Sequence, residues 1–383
     1  MRPTPANLQY EAYTAAPFNS RSSNEFVSRS VDDPNDWVHW DEVDYEDEGE
    51  EAKRESLRHI VARIMERNFT KHLRYMRGAH VKSHAFVKGT LVVSPALPSH
   101  LQYGLFTSPG RTFTTIARYS SESSHIVDDR DRGVVRAIGV KVLGVDGEKI
   151  GGGHRGSQDF LFNNSRSSEL YSLDAALEVF KLRDIFFDDP DGLELALRSR
   201  SDAEKLLSTV NLENIHLAGG KFYAQMPIRF GPYVARLSLL PATAAQVAIA
   251  LKAKDVPNEA ESVAHQKLLR AYFHTYPAVY IIRAQFASRN RQFSIEDTSI
   301  PWDSPWVELG RLEFPVQESY SDARRVWFEE SLALSPWNGL VEHQPLGSLG
   351  RARKTAYEES RRRRAEKNVE AVYLDVEPQS IPD

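Results

Sequence analysis

Four short segments, HAFVKGTLVV (84–93), RTFTTIARYS (111–120), VRAIGVKVLG (135–144) and QDFLFNN (158–164), follow one another with no amphipathic helical pattern between them. Each is rich in β-branched and aromatic residues and is bounded by Gly, Pro, Asp or Ser, which is the pattern of a strand. Parallel strands are joined by long crossovers, usually helical, and these connections carry no such pattern. The reading is therefore an antiparallel barrel or curved sheet rather than a βαβ fold. Later segments extend it. KFYAQMPIRFGPYVARLSLLPA (221–242) predicts two strands around the Gly231-Pro232 turn, and 276–288 and 304–316 predict two more. Helices are predicted around the sheet. Leu57, Ile60, Val61, Ile64, Met65, Phe69 and Leu73 recur at three- and four-residue steps within 51–77. Helical patterns also cover much of 165–215, 258–272 and the basic stretch 348–368. The fold class is α+β.

The two ends differ from this body. Residues 1 to about 30 are polar and aperiodic, and 31–54 is strongly acidic. Such a run usually stays solvated, but Trp37, Trp40 and Tyr45 within it predict that part of it docks, with a second subunit as one expected surface. The division is an N-terminal arm (1–50), a main domain (51–366) and a C-terminal tail (367–383). The net charge of −5 argues against a nucleic-acid partner. No apolar run reaches the roughly 18 residues of a membrane span. MRPTPANLQY lacks the order of a signal peptide, so a cytoplasmic location is expected. The chain has no cysteine, which excludes disulfides, thiolate nucleophiles and thiolate-held metals. Any metal must be held by His, Asp, Glu or Tyr.

The candidate chemistry lies in four places. Arg77 stands three residues before His80. Arg118-Tyr119-Ser120 ends the second strand segment, and Arg136 to Lys141 falls in the third. Arg353 precedes Tyr357 by one helical turn, and Arg364 follows it. Alone, each has a plain alternative. Tyr357 reads as a surface tyrosine on a basic helix, and the arginines as surface ion pairs. His80 and His84 would form a zinc pair only on a helix, and the segment around them reads as extended. GGGHRG (151–156) lacks the Lys-Ser/Thr ending of a phosphate loop. No Gly-x-Ser-x-Gly elbow supports a serine hydrolase.

Together these motifs resemble those of haem catalases: Arg-x-x-His, Arg-Phe-Ser, Arg-Gly-Phe-Ala-Val-Lys and Arg-x-x-x-Tyr with an arginine seven residues later, in that order. LSPWNGLVEHQPLGSLGRARKTAY (334–357) is similar to the short, divergent branch that holds catalase-related peroxidases and allene oxide synthase-like enzymes. The resemblance covers roughly 70–165 and 300–365. It implies an antiparallel β-barrel of the catalase type with surrounding helices, and haem (heme b) as cofactor. By the same resemblance Tyr357 is the iron ligand, with Arg353 favouring its phenolate. His80 is the acid–base group opposite, and Ser120 fixes its tautomer. Arg77, Arg118 and Arg364 bind the propionates, and Phe160 and Phe162 pack near the pocket. A phenol has a pKa near 10, so Fe(III) and a neighbouring guanidinium must both favour its ionised form. Imidazole can take a hydroperoxide's proton and return it. The implied function is cleavage of the O–O bond of hydrogen peroxide or organic hydroperoxides. The alternatives are a fatty-acid hydroperoxide isomerase and a haem- or lipid-binding barrel without turnover. A homo-oligomer that exchanges the Trp-bearing arm is a further expectation. Three positions depart from the pattern: His154 aligns with the distal asparagine, Val134 with an aspartate, and Ala79 with the valine before the distal histidine.

Overall fold

The computed structural model describes residues 33–131, 133–209, 212–252, 262–368, 372–373, 375–376 and 380–383. The helix α1 (Glu50–His72) opens the main body. It starts behind Gly49 with Glu50 and Glu51 in its first turn and ends with Lys71 and His72 in its last, charges that suit the two ends of the helix dipole. Four antiparallel strands follow: β1 (Ser83–Val93), β2 (Thr112–Ser121), β3 (Arg136–Asp146) and β4 (Arg155–Asn163). Next come the helices α2 (Leu173–Ile185), α3 (Pro190–Arg198) and α4 (Ala203–Leu206). The chain returns to the sheet with β5 (Phe222–Ala224), β6 (Ile228–Phe230) and β7 (Tyr233–Pro241). Helices α5 (Ala244–Lys252) and α6 (Ala264–Thr275) precede β8 (Ala278–Phe286) and β9 (Trp306–Phe314). Helix α7 (Asp322–Val326), a π-helical turn at Trp327–Ser331, and α8 (Ser348–Lys367) complete the order.

The strands lie in the order β5-β4-β3-β2-β1-β9-β8-β7-β6, and β5 also pairs with β7. That pairing closes eight strands into an antiparallel barrel, with β6 a hairpin arm of β7. Closure removes the free edges an open sheet would expose. Strand alternation fills the interior: Val87, Ala117, Tyr119, Val140, Phe160, Leu237 and Ile282 all belong to one buried core. Two glycines let β1 and β9 cross closely. A Cβ at Gly89 would sit 2.2 Å from the Glu313 carbonyl oxygen, and one at Gly310 would sit 2.3 Å from that of Val92. Two elements differ from expectation. The 221–242 region forms three strands rather than two, because β5 and β6 are only three residues each. Helix α5 was not anticipated.

Part of the acidic run from residue 33 onward packs on its own barrel. Trp37 is 2% exposed and stacks on Phe286 with ring centroids 3.9 Å apart. Asp44 and Glu50 both pair with Arg351 of α8. Tyr45 stays exposed, and residues 1–32 lie outside the described ones. The tail touches the barrel too: Asp375 accepts hydrogen bonds from the Ser157 N–H (2.8 Å) and Oγ (2.6 Å). Among the described residues, no helix is long and apolar enough to cross a membrane.

Candidate functional site

The register fixes which residues leave the barrel interior. Ala117, Val140 and Phe160 are aligned across β2, β3 and β4 and face inward. Their neighbours Arg118, Gly139 and Leu161 are aligned one position on and face outward, as do Ser120, Ala137 and Asn163. A cavity of about 390 Å³ lies against this outer face. Helices α1, α2 and α8 and residues 333–335, 337 and 338 form its other walls. Arg77, His80, Arg118, Ser120, Arg353, Tyr357 and Arg364 all line it.

His80 sits between α1 and β1 with φ +56°, a left-handed conformation that a non-glycine residue rarely adopts. Such strain persists where the surroundings impose it and tends to mark functional positions. Here the imposing groups are visible. The Arg118 Nη2 donates to the His80 carbonyl at 2.8 Å. The Ser120 hydroxyl engages Nδ1 at 3.2 Å, which leaves Nε2 for the cavity. Burial pushes the imidazole down to about 4, with Glu122 pulling it up and Arg118, Arg353 and Arg77 pushing it further down. The ring is thus neutral at physiological pH and able to accept a proton.

Tyr357 lies on α8. Arg353, one turn earlier, donates from Nη2 to the phenol oxygen at 3.3 Å and lies 5.6 Å from the ring centroid. The i, i+4 spacing makes that pairing local. The phenol oxygen is a donor able to bind a hard metal ion.

Arg77, Arg118 and Arg364 converge on the π-helical turn. Arg118 Nε donates to Glu329 Oε1 at 2.9 Å and Arg77 Nε to Oε2 at 3.3 Å. Arg77 Nη2 also donates to the Phe328 carbonyl at 2.6 Å, and Arg364 donates to that of Glu329. Burial pushes the Glu329 carboxyl up, but Arg118 and Arg77 outweigh it and hold it at about 2. Three guanidiniums thus gather at this end of the cavity, around Glu329 and, for Arg364, Glu330 as well.

Phe160 is not on the cavity wall. Strand alternation turns it into the barrel, where its ring centroid lies 6.1 Å from that of His343. Phe162 and Leu161 reach the cavity instead. His154 lies on an exposed loop away from it, and the amides on the wall are Asn163, Asn338 and Gln225. His84 is fully buried elsewhere, its Nε2 2.7 Å from Ser121 Oγ. No cluster of His, Asp and Glu that could hold a metal occurs among the described residues. Two acidic wall residues, Glu122 and Glu358, were not singled out from the sequence. Glu122 was readable in principle, because it stands two residues after Ser120 along one strand direction.

No protein-family model matches the chain, and no curated protein matches it significantly. Solved structures do. A fungal catalase superposes with a TM-score of 0.58 at 13% identity, over 83% of this chain and 66% of that one. Catalase A from Saccharomyces cerevisiae gives 0.55 at 14%, over 83% and 68%. A bacterial catalase gives 0.56 at 14%, over 81% and 62%. The chain spans about two thirds of the length of these proteins. With its closed eight-stranded antiparallel barrel and surrounding helices, the chain has the catalase fold.

Proposed function

We propose that the chain is a haem-dependent oxidoreductase that cleaves the O–O bond of hydrogen peroxide or of an organic hydroperoxide. One observation carries the reading: the His80–Ser120 pair, the Arg353–Tyr357 pair and the Arg77, Arg118 and Arg364 cluster all line one cavity. Haem fits that donor set. A phenol oxygen beside a guanidinium is a ligand type for ferric haem. Arg77, Arg118 and Arg364 suit propionates, because arginine binds carboxylates well. The intervening wall is apolar, built from Val61, Ile138, Leu161, Phe162 and Leu334. When bound, the iron supplies the redox chemistry of O–O cleavage.

The chain's own residues do the rest. Tyr357 would hold the iron through its phenol oxygen, to which Arg353 donates at 3.3 Å. His80 takes the hydroperoxide proton at Nε2 and returns it to the departing oxygen, while Ser120 fixes the tautomer. The Arg118 contact to the His80 carbonyl ties the propionate end to the position of the base.

Titration of the purified chain with haemin tests the reading: a Soret band should saturate at one equivalent. Tyr357→Phe should lose or misligate the haem, and an unchanged spectrum in that variant would show that the ligand lies elsewhere. A second reading, a fatty-acid hydroperoxide isomerase, draws support from Leu57, Leu170, Phe180 and Met226, which extend the apolar wall. Relative turnover of hydrogen peroxide and a fatty-acid hydroperoxide separates the two. Haem binding with no turnover of either would leave a binding protein.

A further inference from the structure

We propose that Glu122 is a positioning carboxylate of this site: clamped by Arg183, it stabilises the positive charge that His80 acquires on taking a proton. The proposal rests on the peroxide reading above for the role of His80, but its geometry stands independently. Ser120 and Glu122 are two residues apart along an extended backbone, so their side chains leave on the same side. The Glu122 N–H still pairs with the Val135 carbonyl at 2.7 Å, which holds that direction just beyond the end of β2. Ser120 engages the His80 ring, and His80, Ser120 and Glu122 line the same cavity.

Arg183 of α2 reaches Glu122 at 3.2 Å and also pairs with Glu169. Glu169 in turn accepts from Thr209 Oγ1 at 3.0 Å. One guanidinium thus faces two carboxylates. Burial pushes both up. For Glu122, Arg183 and His80 outweigh that and hold it below its ordinary value. Glu169 stays above, with Glu122 repelling its charge. Glu122 is therefore the member that holds its negative charge to the lower pH. The other charged groups acting on His80 are Arg118, Arg353 and Arg77, all cationic. Among these leading influences, Glu122 is the one that opposes them. Without it, the strongest charges acting on the imidazolium would all be guanidiniums, two of them shared with Glu329. The step concerned is a proton transfer only: the substrate O–H breaks, an N–H forms at Nε2, and the same proton is later returned. Glu122 neither gives nor takes it.

The test compares the full-length chain with Glu122→Gln and Glu122→Asp. The first readout is the titration of the His80 ring by NMR with labelled histidine, without added haem. Proton binding should weaken by roughly tenfold, about one pKa unit, in Glu122→Gln and stay close to native in Glu122→Asp. The second is the rate at which hydrogen cyanide binds the haemin-loaded chain, because that neutral acid must surrender a proton on the distal side. The rate should fall about tenfold in Glu122→Gln and recover in Glu122→Asp, with the Soret band of the ligand-free form unchanged. A merely structural role would not produce that recovery. A native titration midpoint in Glu122→Gln overturns the proposal. Glu122→Ala, a second neutral variant, carries the comparison if the glutamine chain does not fold. If haemin fails to bind the native chain, the peroxide reading falls, and the titration still decides the electrostatic claim.

Discussion

Lys141→Met should cost the chain several kcal/mol and loosen one wall of the cavity. Lys141 on β3 is directly opposite Asp159 on β4, with Nζ 2.6 Å from Oδ1 and both side chains fully buried. The other Asp159 oxygen accepts the Ser335 N–H at 2.9 Å, and the Asp159 N–H donates to the Asn338 carbonyl at 2.8 Å. Ser335 and Asn338 line the cavity, so this pair pins that wall to the barrel. Removing one partner of a buried pair leaves an uncompensated charge and costs about 3–5 kcal/mol. Unfolding entropy of about 2.1 cal/mol/K per residue over 383 residues converts that to a fall in Tm of roughly 4–6 °C. The deficit should depend on pH. Burial already raises the Asp159 carboxyl above its ordinary value, despite Lys141. The folded chain therefore binds more protons at this site than the unfolded chain does, and the group costs stability as pH rises. Loss of Lys141 sharpens this, so the deficit should be largest near neutrality and shrink as pH falls into the carboxylate range. Lys141→Met/Asp159→Asn keeps an acceptor for Ser335 and should recover more than half of the loss. Calorimetry of the three chains at two pH values reads all of this. A single-variant loss under about 1 kcal/mol, within the range of a solvent-exposed pair, would refute the reasoning.

His80→Ala should keep the haem spectrum while peroxide turnover falls by roughly 10²-fold or more, the scale of general acid–base catalysis; a variant of normal activity would remove His80 from the mechanism. Because His80 must be neutral to accept a proton, and burial first of all holds it at about 4, activity should be level through neutral pH and drop as pH falls through that value. An activity loss centred near the ordinary histidine value would contradict this. Trp37→Ala, which removes the stack on Phe286, should cost about 3–5 kcal/mol in a denaturant titration, if the docking of residues 33–45 is part of the folded unit. Gly89→Val should lower soluble yield and Tm, because its Cβ meets the Glu313 backbone oxygen at 2.2 Å. Overpacking typically costs about 1–3 kcal/mol, and a native Tm would mean the β1–β9 crossing is looser than described.

Much of the fold was legible because the strands are short runs rich in β-branched and aromatic residues, bounded by turn residues. The segments at 84–93, 111–120 and 135–144 became β1, β2 and β3 nearly to the residue. Helix α1 was equally plain, since its apolar positions follow one period. Strand alternation, taken one step further, would have turned Phe160 into the barrel with Ala117 and Val140, while Leu161 faces out with Arg118 and Gly139. The sequence left open which residue stands where the resemblance expects an asparagine. Counting along the chain puts His154 at that position, but 147–154 is a loop with four positive-φ glycines, and loop length breaks residue counting. Asn163 and Asn338 reach the wall from a strand and from a segment about 180 residues away. The short segments β5 and β6 carried too few residues to show a period.

The arginine cluster shows where local patterns stop being informative. Arg77, Arg118 and Arg364 come from a connector, a strand and a helix. What gathers them is the turn at Trp327–Ser331, whose five residues are wound as π-helix. The helical stretch ends there, so its last carbonyls lack helical partners; those of Phe328 and Glu329, with Leu332 just beyond, accept from Arg77 and Arg364. Such turns are rare and frequently sit at functional sites. The sequence WFEES has no feature that predicts one. Its acidic residues read as helix surface, yet Glu329 is turned inward to two guanidiniums. The turn and the arginines stabilise each other: orphaned carbonyls need donors, and buried guanidiniums need acceptors. Neither half would hold its position alone. The cationic end of the cavity is therefore a property of tertiary structure, assembled from a connector, a strand and a helix around one helix end.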